Sequence, residues 1–181
     1  MWTTVAVVIA SVVAIAVLVV HGAPAPRGCE RPRLLDDFLS DESCDAIVRA
    51  AEAAGFRRSE VRDPRGDKVT RDRTSHQVFL PLDAPEVREF VENVERLTGV
   101  RRRKFESVQV VRYKPGEQYR AHFDSDDATP PGERRLYTVL TYLNDEFAGG
   151  GTDFPTARVT VAPKKRMAVW WSTVDARGGI L

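Results

Sequence analysis

The sequence is short of cysteine, histidine and net charge. Of its 181 residues, two are cysteine (Cys29 and Cys44) and three are histidine. Two cysteines are too few for a disulfide framework or a zinc cluster, and Cys44 falls on the apolar side of a predicted helix, where a buried thiol is expected. The formal net charge is +1, whereas a nucleic-acid-binding domain usually has a marked basic excess. The chain therefore allows one domain of ordinary size and a short extra segment, with no nucleic-acid partner.

One long apolar run stands at the N-terminus. Residues 2–20 read WTTVAVVIASVVAIAVLVV, which as a helix is long enough to cross most of a bilayer core. We predict a single transmembrane anchor over 1–21, with a secretory signal peptide as the alternative. A signal peptide would begin with a basic region, which this run lacks. A Pro- and Arg-rich linker over 22–33 follows, and its arginines predict that the domain over 34–181 stays on the cytoplasmic side of the membrane.

The remaining pattern changes from helical to extended near residue 105. Capped apolar stripes predict one helix over Asp41–Ala54, ended by Gly55, and a second that opens near Asp83 and is ended by Gly99. Runs rich in β-branched and aromatic residues predict strands over 107–113, 118–124, 135–143, 152–154, 158–161 and 167–171. This order predicts a mainly β fold with packed helices (α+β), as a sandwich or jelly roll with helices on one sheet.

Two side chains with metal-ligand chemistry stand on the predicted strand over 118–124. His122 and Asp124 are two positions apart, so in a strand both point to the same face. They would supply two of the three ligands of the two-His, one-carboxylate triad that holds non-haem Fe(II). No histidine follows His122. His76 precedes the pair, and we expect it to be a polar loop residue, because a facial site needs exact convergence of its ligands.

Several motifs around this pair carry a resemblance. The segments VVRYKPGEQYRAHFD (110–124), RLYTVLTYLNDEFAGGGTDFP (135–155) and APKKRMAVWW (162–171) occur in order, with RTSHQVFLP (73–81) upstream. Together they resemble the prolyl 4-hydroxylase family of Fe(II)- and 2-oxoglutarate-dependent dioxygenases, over about residues 34–171. The resemblance implies a double-stranded β-helix, which is a jelly roll with iron in its mouth.

The same resemblance implies roles for individual residues. His122 and Asp124 match the first two iron ligands, Tyr113 and Thr152 match residues that contact 2-oxoglutarate, and Tyr119 matches one that lines the substrate pocket. The implied cofactors are Fe(II), 2-oxoglutarate and L-ascorbate, which restores oxidised iron. The implied reaction is hydroxylation of a proline-containing protein or peptide by O₂, with no catalytic residue beyond the metal site.

One departure from the family pattern bears on activity. The family's third iron ligand, a histidine, and a lysine that pairs with 2-oxoglutarate lie further downstream than Leu181. We therefore expect a jelly roll that is incomplete at its C-terminus and lacks its last strands. Leaving a buried carboxylate without its cationic partner costs on the order of 3–5 kcal/mol. The sequence thus leaves open a membrane-anchored proline-hydroxylating dioxygenase and, as the alternative, a truncated, inactive jelly-roll module that acts as a tethered peptide-binding protein.

Overall fold

A computed structural model describes residues 11–19, 31–61, 66, 68–125, 129–130, 134–175 and 179–180. Two short 3₁₀ turns, Pro85–Val87 and Arg102–Lys104, accompany the regular elements. In chain order those elements are β1 (Ser11–Val19), β2 (Arg33–Leu35), α1 (Asp41–Ala54), β3 (Arg57–Arg58), β4 (His76–Leu80), α2 (Arg88–Thr98), β5 (Val108–Tyr113), β6 (Arg135–Tyr142), β7 (Thr152–Phe154), β8 (Val159–Val161) and β9 (Ala168–Ser172).

Most strands form one antiparallel sheet, in the order β2-β9-β6-β1-β5-β4-β3. The strands β7 and β8 pair separately as a two-stranded sheet. Alternate residues of a strand point to opposite faces, so central strands such as β6 and β9 contribute side chains to two cores. On one face, side chains such as Val110 and Val139 pack with Ile47 of α1 and Phe90 of α2. The predicted combination of a mainly β fold and packed helices is confirmed.

The opposite face of the large sheet carries the second core. Leu140 and Tyr142 of β6 and Val169 of β9 pack there with Val161 of β8 and the nearby Met167. Leu140, Tyr142 and Val169 are 6%, 0% and 0% exposed. The two-stranded sheet therefore covers the face that lies away from the helices, and the polar side chains at the end of this face are available for a site.

Both predicted helices are present, and each has the expected terminus. Ser40 caps α1, since its side chain accepts a hydrogen bond from the backbone N–H of Ser43 at 3.2 Å. Gly99 ends α2 with φ +70°, a left-handed conformation that glycine adopts without a Cβ penalty. Cys44 on α1 is fully buried, and burial is the main cause that raises the pKa of its thiol to about 11.

The N-terminal apolar run departs from its prediction. Where the sequence predicts a transmembrane helix over 1–21, residues 11–19 form β1, and Ile15 pairs with both Gln109 of β5 and Leu140 of β6. The run is rich in β-branched residues, and a buried strand and a buried helix give the same apolar signal. As a strand, β1 lies between β5 and β6, and its backbone N–H and C=O groups pair with those of both neighbours.

The rest of that predicted span, 1–10 and 20–21, lies outside the described residues. Within the described ranges, none of the helices combines the length and the hydropathy that crossing a bilayer requires. Membrane location stays a prediction.

The strand predicted over 118–124 is also wrong as a regular strand. The turn after β5, with Gly116 at φ +81°, directs the chain away from β5. The following residues pair instead with the loop before β4: Tyr119 bridges Arg73, and the Thr74 N–H donates to the Gln118 carbonyl at 2.7 Å. The Arg120 N–H also donates to the Asp72 carbonyl at 2.9 Å, so residues 118–124 form an isolated bridge to this loop rather than a strand ladder.

Candidate metal centre

His122 and Asp124 lie side by side although their segment is irregular. His122 Nε2 is 3.3 Å from Asp124 Oδ1. The His122 side chain is 38% exposed and the Asp124 side chain is 17% exposed, so the imidazole is open to solvent while the carboxylate is largely covered. An imidazole and a carboxylate with one open side are what a bound metal ion with exchangeable positions needs.

The hydrogen bonds of His122 determine how its two ring nitrogens are used. Nδ1 is 2.8 Å from the carbonyl oxygen of Arg120. A carbonyl only accepts, so Nδ1 carries the hydrogen and Nε2 of the neutral ring is left as an acceptor. Nε2 then faces Asp124 Oδ1, and either a proton on Nε2 or a metal ion can bridge the imidazole and the carboxylate. A carbonyl-tied imidazole is also the usual state of a metal-ligating histidine, so these two residues fit a metal ion.

The Asp124 carboxylate is held by donors from two neighbouring strands. Its Oδ2 accepts from the hydroxyl of Thr138 at 2.8 Å and from the indole N–H of Trp171 at 3.1 Å. Burial by itself would raise the pKa of Asp124, but the hydrogen bond and charge of His122, the Thr138 hydroxyl and the positive charge of Arg135 outweigh it and hold the pKa below its ordinary value. The carboxylate is therefore ionised, as a metal ligand must be.

A bidentate ion pair supports the backbone of the same segment. Arg135, the first residue of β6, donates to both carboxylate oxygens of Glu106, at 2.8 and 3.0 Å. Its remaining nitrogen donates to the backbone carbonyl of Asp124 at 3.2 Å. These bonds connect Glu106, two residues before β5, to the start of β6 and to the backbone of Asp124, so Arg135 acts as a positioning residue for Asp124.

Two further side chains line the approach to His122. The ring of Tyr119 stacks on the His122 imidazole, with centroids 3.6 Å apart and an interplanar angle of 18°. The guanidinium carbon of Arg73 lies 4.7 Å from the centre of the same Tyr119 ring. Arg73 is only 7% exposed, and burial lowers its pKa. The buried Arg73 cation therefore lies against the Tyr119 ring, and that ring contacts the candidate ligand His122.

Tyr113 and Thr152 each contact a part of the second core. Tyr113 ends β5 and packs against that core, and burial is the main cause that raises the pKa of its phenol, so it remains a hydrogen-bond donor at neutral pH. Thr152 begins β7, and its hydroxyl is 2.7 Å from the hydroxyl of Tyr142. Tyr113 therefore lies on the same face of β5 as Gln109, near Arg73, whereas the hydroxyl of Thr152 is engaged with Tyr142 rather than with the His122–Asp124 pair.

His76 does not join the pair. It lies on β4, and its Nδ1 is 3.2 Å from a carboxylate oxygen of Glu117. Over the described ranges, no group of three or more histidine, cysteine, aspartate or glutamate side chains is placed to hold a metal ion. The site as described therefore consists of one histidine and one carboxylate.

Sequence reasoning missed the residues that support these ligands. Strand alternation places Thr138, Leu140 and Tyr142 on one face of β6, so the polar Thr138 among apolar neighbours was a readable signal. Thr138 and Trp171 are direct cross-strand partners of β6 and β9. That register depends on tertiary pairing, and no pattern in the sequence predicts it.

Comparison with known proteins places this geometry in a family. A family model described as the 2OG-Fe(II) oxygenase superfamily matches residues 108–177. The chain is also similar to the crystal structure of a viral collagen prolyl hydroxylase from Paramecium Bursaria Chlorella virus-1 in its 2OG complex, with a TM-score of 0.68 and 30% identity over 84% of this chain and 83% of that one. The fold is thus mostly β with some helices and is similar to the oxygenase jelly roll.

Curated relatives agree with the structural likeness. The chain is 36% identical to prolyl 4-hydroxylase subunit alpha-2 of Gallus gallus over 78% of its own length and 28% of the relative. It is 31% identical to prolyl 4-hydroxylase 5 of Arabidopsis thaliana, over 78% of this chain and 49% of the relative. The chain spans less than two thirds of the length of these relatives. From the superfamily match, the motifs and the structural likeness together, the chain belongs to the prolyl 4-hydroxylase-like family of 2OG-Fe(II) oxygenases.

Proposed function

We propose that this chain carries the metal and cosubstrate sites of an Fe(II)- and 2-oxoglutarate-dependent dioxygenase that hydroxylates proline in a protein or peptide. The observation that carries the proposal is the convergence of His122 Nε2 and Asp124 Oδ1, 3.3 Å apart, with Nδ1 of the imidazole held by a backbone carbonyl. When bound, Fe(II) with 2-oxoglutarate supplies the power to oxidise an unactivated C–H bond with O₂.

The chain's own residues bind and orient. His122 and Asp124 hold the metal, and Thr138 and Trp171 hold Asp124 in place through its second oxygen. The protonated phenol of Tyr113 is a donor suited to a carboxylate of 2-oxoglutarate. We assign Thr152 the same role, for which its hydroxyl must turn from Tyr142 to the cosubstrate. We assign Tyr119 to the pocket for the proline substrate.

A second candidate function is peptide binding without turnover. The observation that favours it is that the described residues supply two protein ligands and no group of three. Such a module would keep the side chains around Tyr119 for peptide contacts while holding iron weakly.

Metal titration and succinate production together test both candidates. The purified chain would be titrated with Co(II) as a spectroscopic probe and then supplied with Fe(II), 2-oxoglutarate, ascorbate and a proline-rich peptide. We expect Co(II) binding to be lost in His122→Ala and in Asp124→Asn and kept in the matched control His76→Ala, whose imidazole faces Glu117. Succinate production that requires the added peptide supports the dioxygenase function.

The other outcomes separate the alternatives. Peptide binding with Co(II) bound and no succinate favours the binding module. An absence of Co(II) binding by the unmodified chain, or equal binding by His122→Ala, overturns the proposed metal site.

A further inference from the structure

We propose that Arg73, Gln109 and Tyr119 form a positioning network that fixes the plane of the His122 imidazole. This inference deepens the proposed function and rests on it. None of the three residues ligates the metal in the proposed site. Their role would be to hold, before any metal arrives, a ligand whose own backbone segment forms an isolated bridge rather than a strand ladder.

The need for such support follows from the fold. His122 is 38% exposed, and residues 118–124 form a single isolated bridge, between Tyr119 and Arg73, rather than a ladder. A side chain on such a segment has several accessible orientations, and selecting one of them costs conformational entropy when a metal binds. Contacts that restrict the ring in advance lower that cost.

Tyr119 provides the direct contact. Its ring is nearly parallel to the His122 imidazole at 18°, with centroids 3.6 Å apart. The Nδ1 contact to the Arg120 carbonyl orients the imidazole within its own plane, whereas the Tyr119 ring restricts rotation out of that plane. The two contacts together leave Nε2 directed at Asp124.

Arg73 in turn holds Tyr119. Its guanidinium carbon lies 4.7 Å from the Tyr119 ring centre, and the two residues share the only bridge between their segments in the described part of the chain. The guanidinium is itself fixed by three acceptors: the carbonyl of Glu60 at 3.1 Å, the hydroxyl of Ser75 at 3.4 Å and the side-chain oxygen of Gln109 at 3.3 Å.

Gln109 connects the network to the rigid sheet. It lies on β5, where it shares a face with Tyr113, and its amide nitrogen donates to the side-chain oxygen of Gln77 on β4 at 2.7 Å. Gln77 is 4% exposed, and Arg73 is 7% exposed. A buried polar chain in which each member has a partner rigidifies its surroundings. The line of contacts therefore runs from β4 and β5 through Arg73 and Tyr119 to the His122 ring.

Two matched pairs of variants test the network in the full chain. Tyr119→Phe keeps the ring and loses the hydroxyl, whereas Tyr119→Leu loses the ring. Gln109→Glu keeps the acceptor for Arg73 and loses only the donor to Gln77, whereas Gln109→Leu loses both contacts. Phe123→Leu is the control, because this neighbouring aromatic residue is 70% exposed.

The first measurement is proton NMR of the metal-free protein, in which three histidines make the imidazole signals few. Stacking on Tyr119 predicts an upfield ring-current shift for His122. We expect the shift in the unmodified chain, Tyr119→Phe, Gln109→Glu and Phe123→Leu, and its loss in Tyr119→Leu and Gln109→Leu. A His122 signal that is unchanged in Gln109→Leu, in a variant that folds, overturns the network.

The second measurement is the Kd for Co(II). We expect Tyr119→Leu and Gln109→Leu to weaken binding by about tenfold, as removal of outer-shell partners does in other metal sites, with the three conservative variants near the unmodified value. Equal Kd values throughout would overturn the inference while leaving the proposed function standing. Conversely, an unmodified chain that binds no Co(II) would overturn the proposed function, and the metal-free spectra would still decide the network.

Discussion

Replacing Thr138 by valine removes one donor from the Asp124 carboxylate with almost no change in side-chain shape. Thr138 is 2% exposed, and its hydroxyl donates to Asp124 Oδ2 at 2.8 Å. Trp171 remains as the second donor to the same oxygen, at 3.1 Å. A hydrogen bond to a charged group contributes roughly 1.5–3 kcal/mol. We therefore expect Thr138→Val to lower the free energy of unfolding by about this amount.

The chain contains a matched control for this substitution. Thr160 on β8 donates to Asp153 Oδ1 on β7, also at 2.8 Å, but both side chains are exposed. Water replaces a lost donor at an exposed carboxylate, so Thr160→Val should change the free energy by no more than about 0.5 kcal/mol. The comparison isolates burial, because residue types and donor distance are the same in both pairs.

Urea denaturation, followed by circular dichroism, gives the free energy of unfolding of both variants. A chelator in the buffer removes any contribution from bound metal. In a thermal melt, a domain of this size should lose about 2–4 °C of Tm for each kcal/mol of lost stability. The Tm of Thr138→Val should therefore be roughly 3–12 °C lower. Equal losses in the two variants, or a loss below about 0.5 kcal/mol in Thr138→Val, would refute the view that a buried, donor-held carboxylate underlies the site.

Three further predictions concern other parts of the chain. Glu89 accepts hydrogen bonds from the Ser40 N–H at 3.0 Å and the Ser40 hydroxyl at 2.6 Å; burial opposes its charge, but these donors outweigh burial and lower its pKa. A lowered folded-state pKa means that the stabilisation is present above the unfolded value of about 4.3 and is lost as the pH falls through the folded value. Glu89→Gln should therefore destabilise at pH 7, with a difference that shrinks towards acid in urea titrations; a difference independent of pH would contradict this. Ile15→Pro removes a backbone N–H from the centre of β1, so it should lower the free energy of unfolding by at least about 1–3 kcal/mol; unchanged stability would favour the predicted membrane helix over the strand. The Cys44 thiol, with a pKa of about 11 and no exposure, should resist alkylation at pH 8 in the native protein and react in urea, as peptide mass mapping would show; rapid native labelling would contradict its burial.

Local signals predicted the helices well and the central strands almost as well. Ser40, Gly55 and Gly99 act within a turn of their own positions, so capping patterns locate α1 and the end of α2 from the sequence. The segment 118–124 has the composition of a strand, yet it pairs with the loop at Arg73 rather than with β5. Propensity describes a segment's own preference, and the choice of partner is a tertiary property.

The N-terminal run shows the same limit more sharply. An apolar stretch that is rich in valine and isoleucine satisfies the requirements of a membrane helix and of a strand buried between two others. In the structure its backbone groups pair on both sides, with Gln109 and Leu140 opposite Ile15. Hydropathy records only that such a segment avoids water, so it does not distinguish these environments.

By itself the sequence determined the family, the helices and the identity of a histidine and an aspartate two positions apart, because motifs and caps depend on residues that are close along the chain. The tertiary structure decided which side chains serve that pair. Thr138 and Trp171 reach Asp124 from two strands, and Tyr119 and Arg73 reach His122 from a loop pairing. These contacts depend on strand register and loop docking, which are selected by the packing of the whole domain rather than by any local segment.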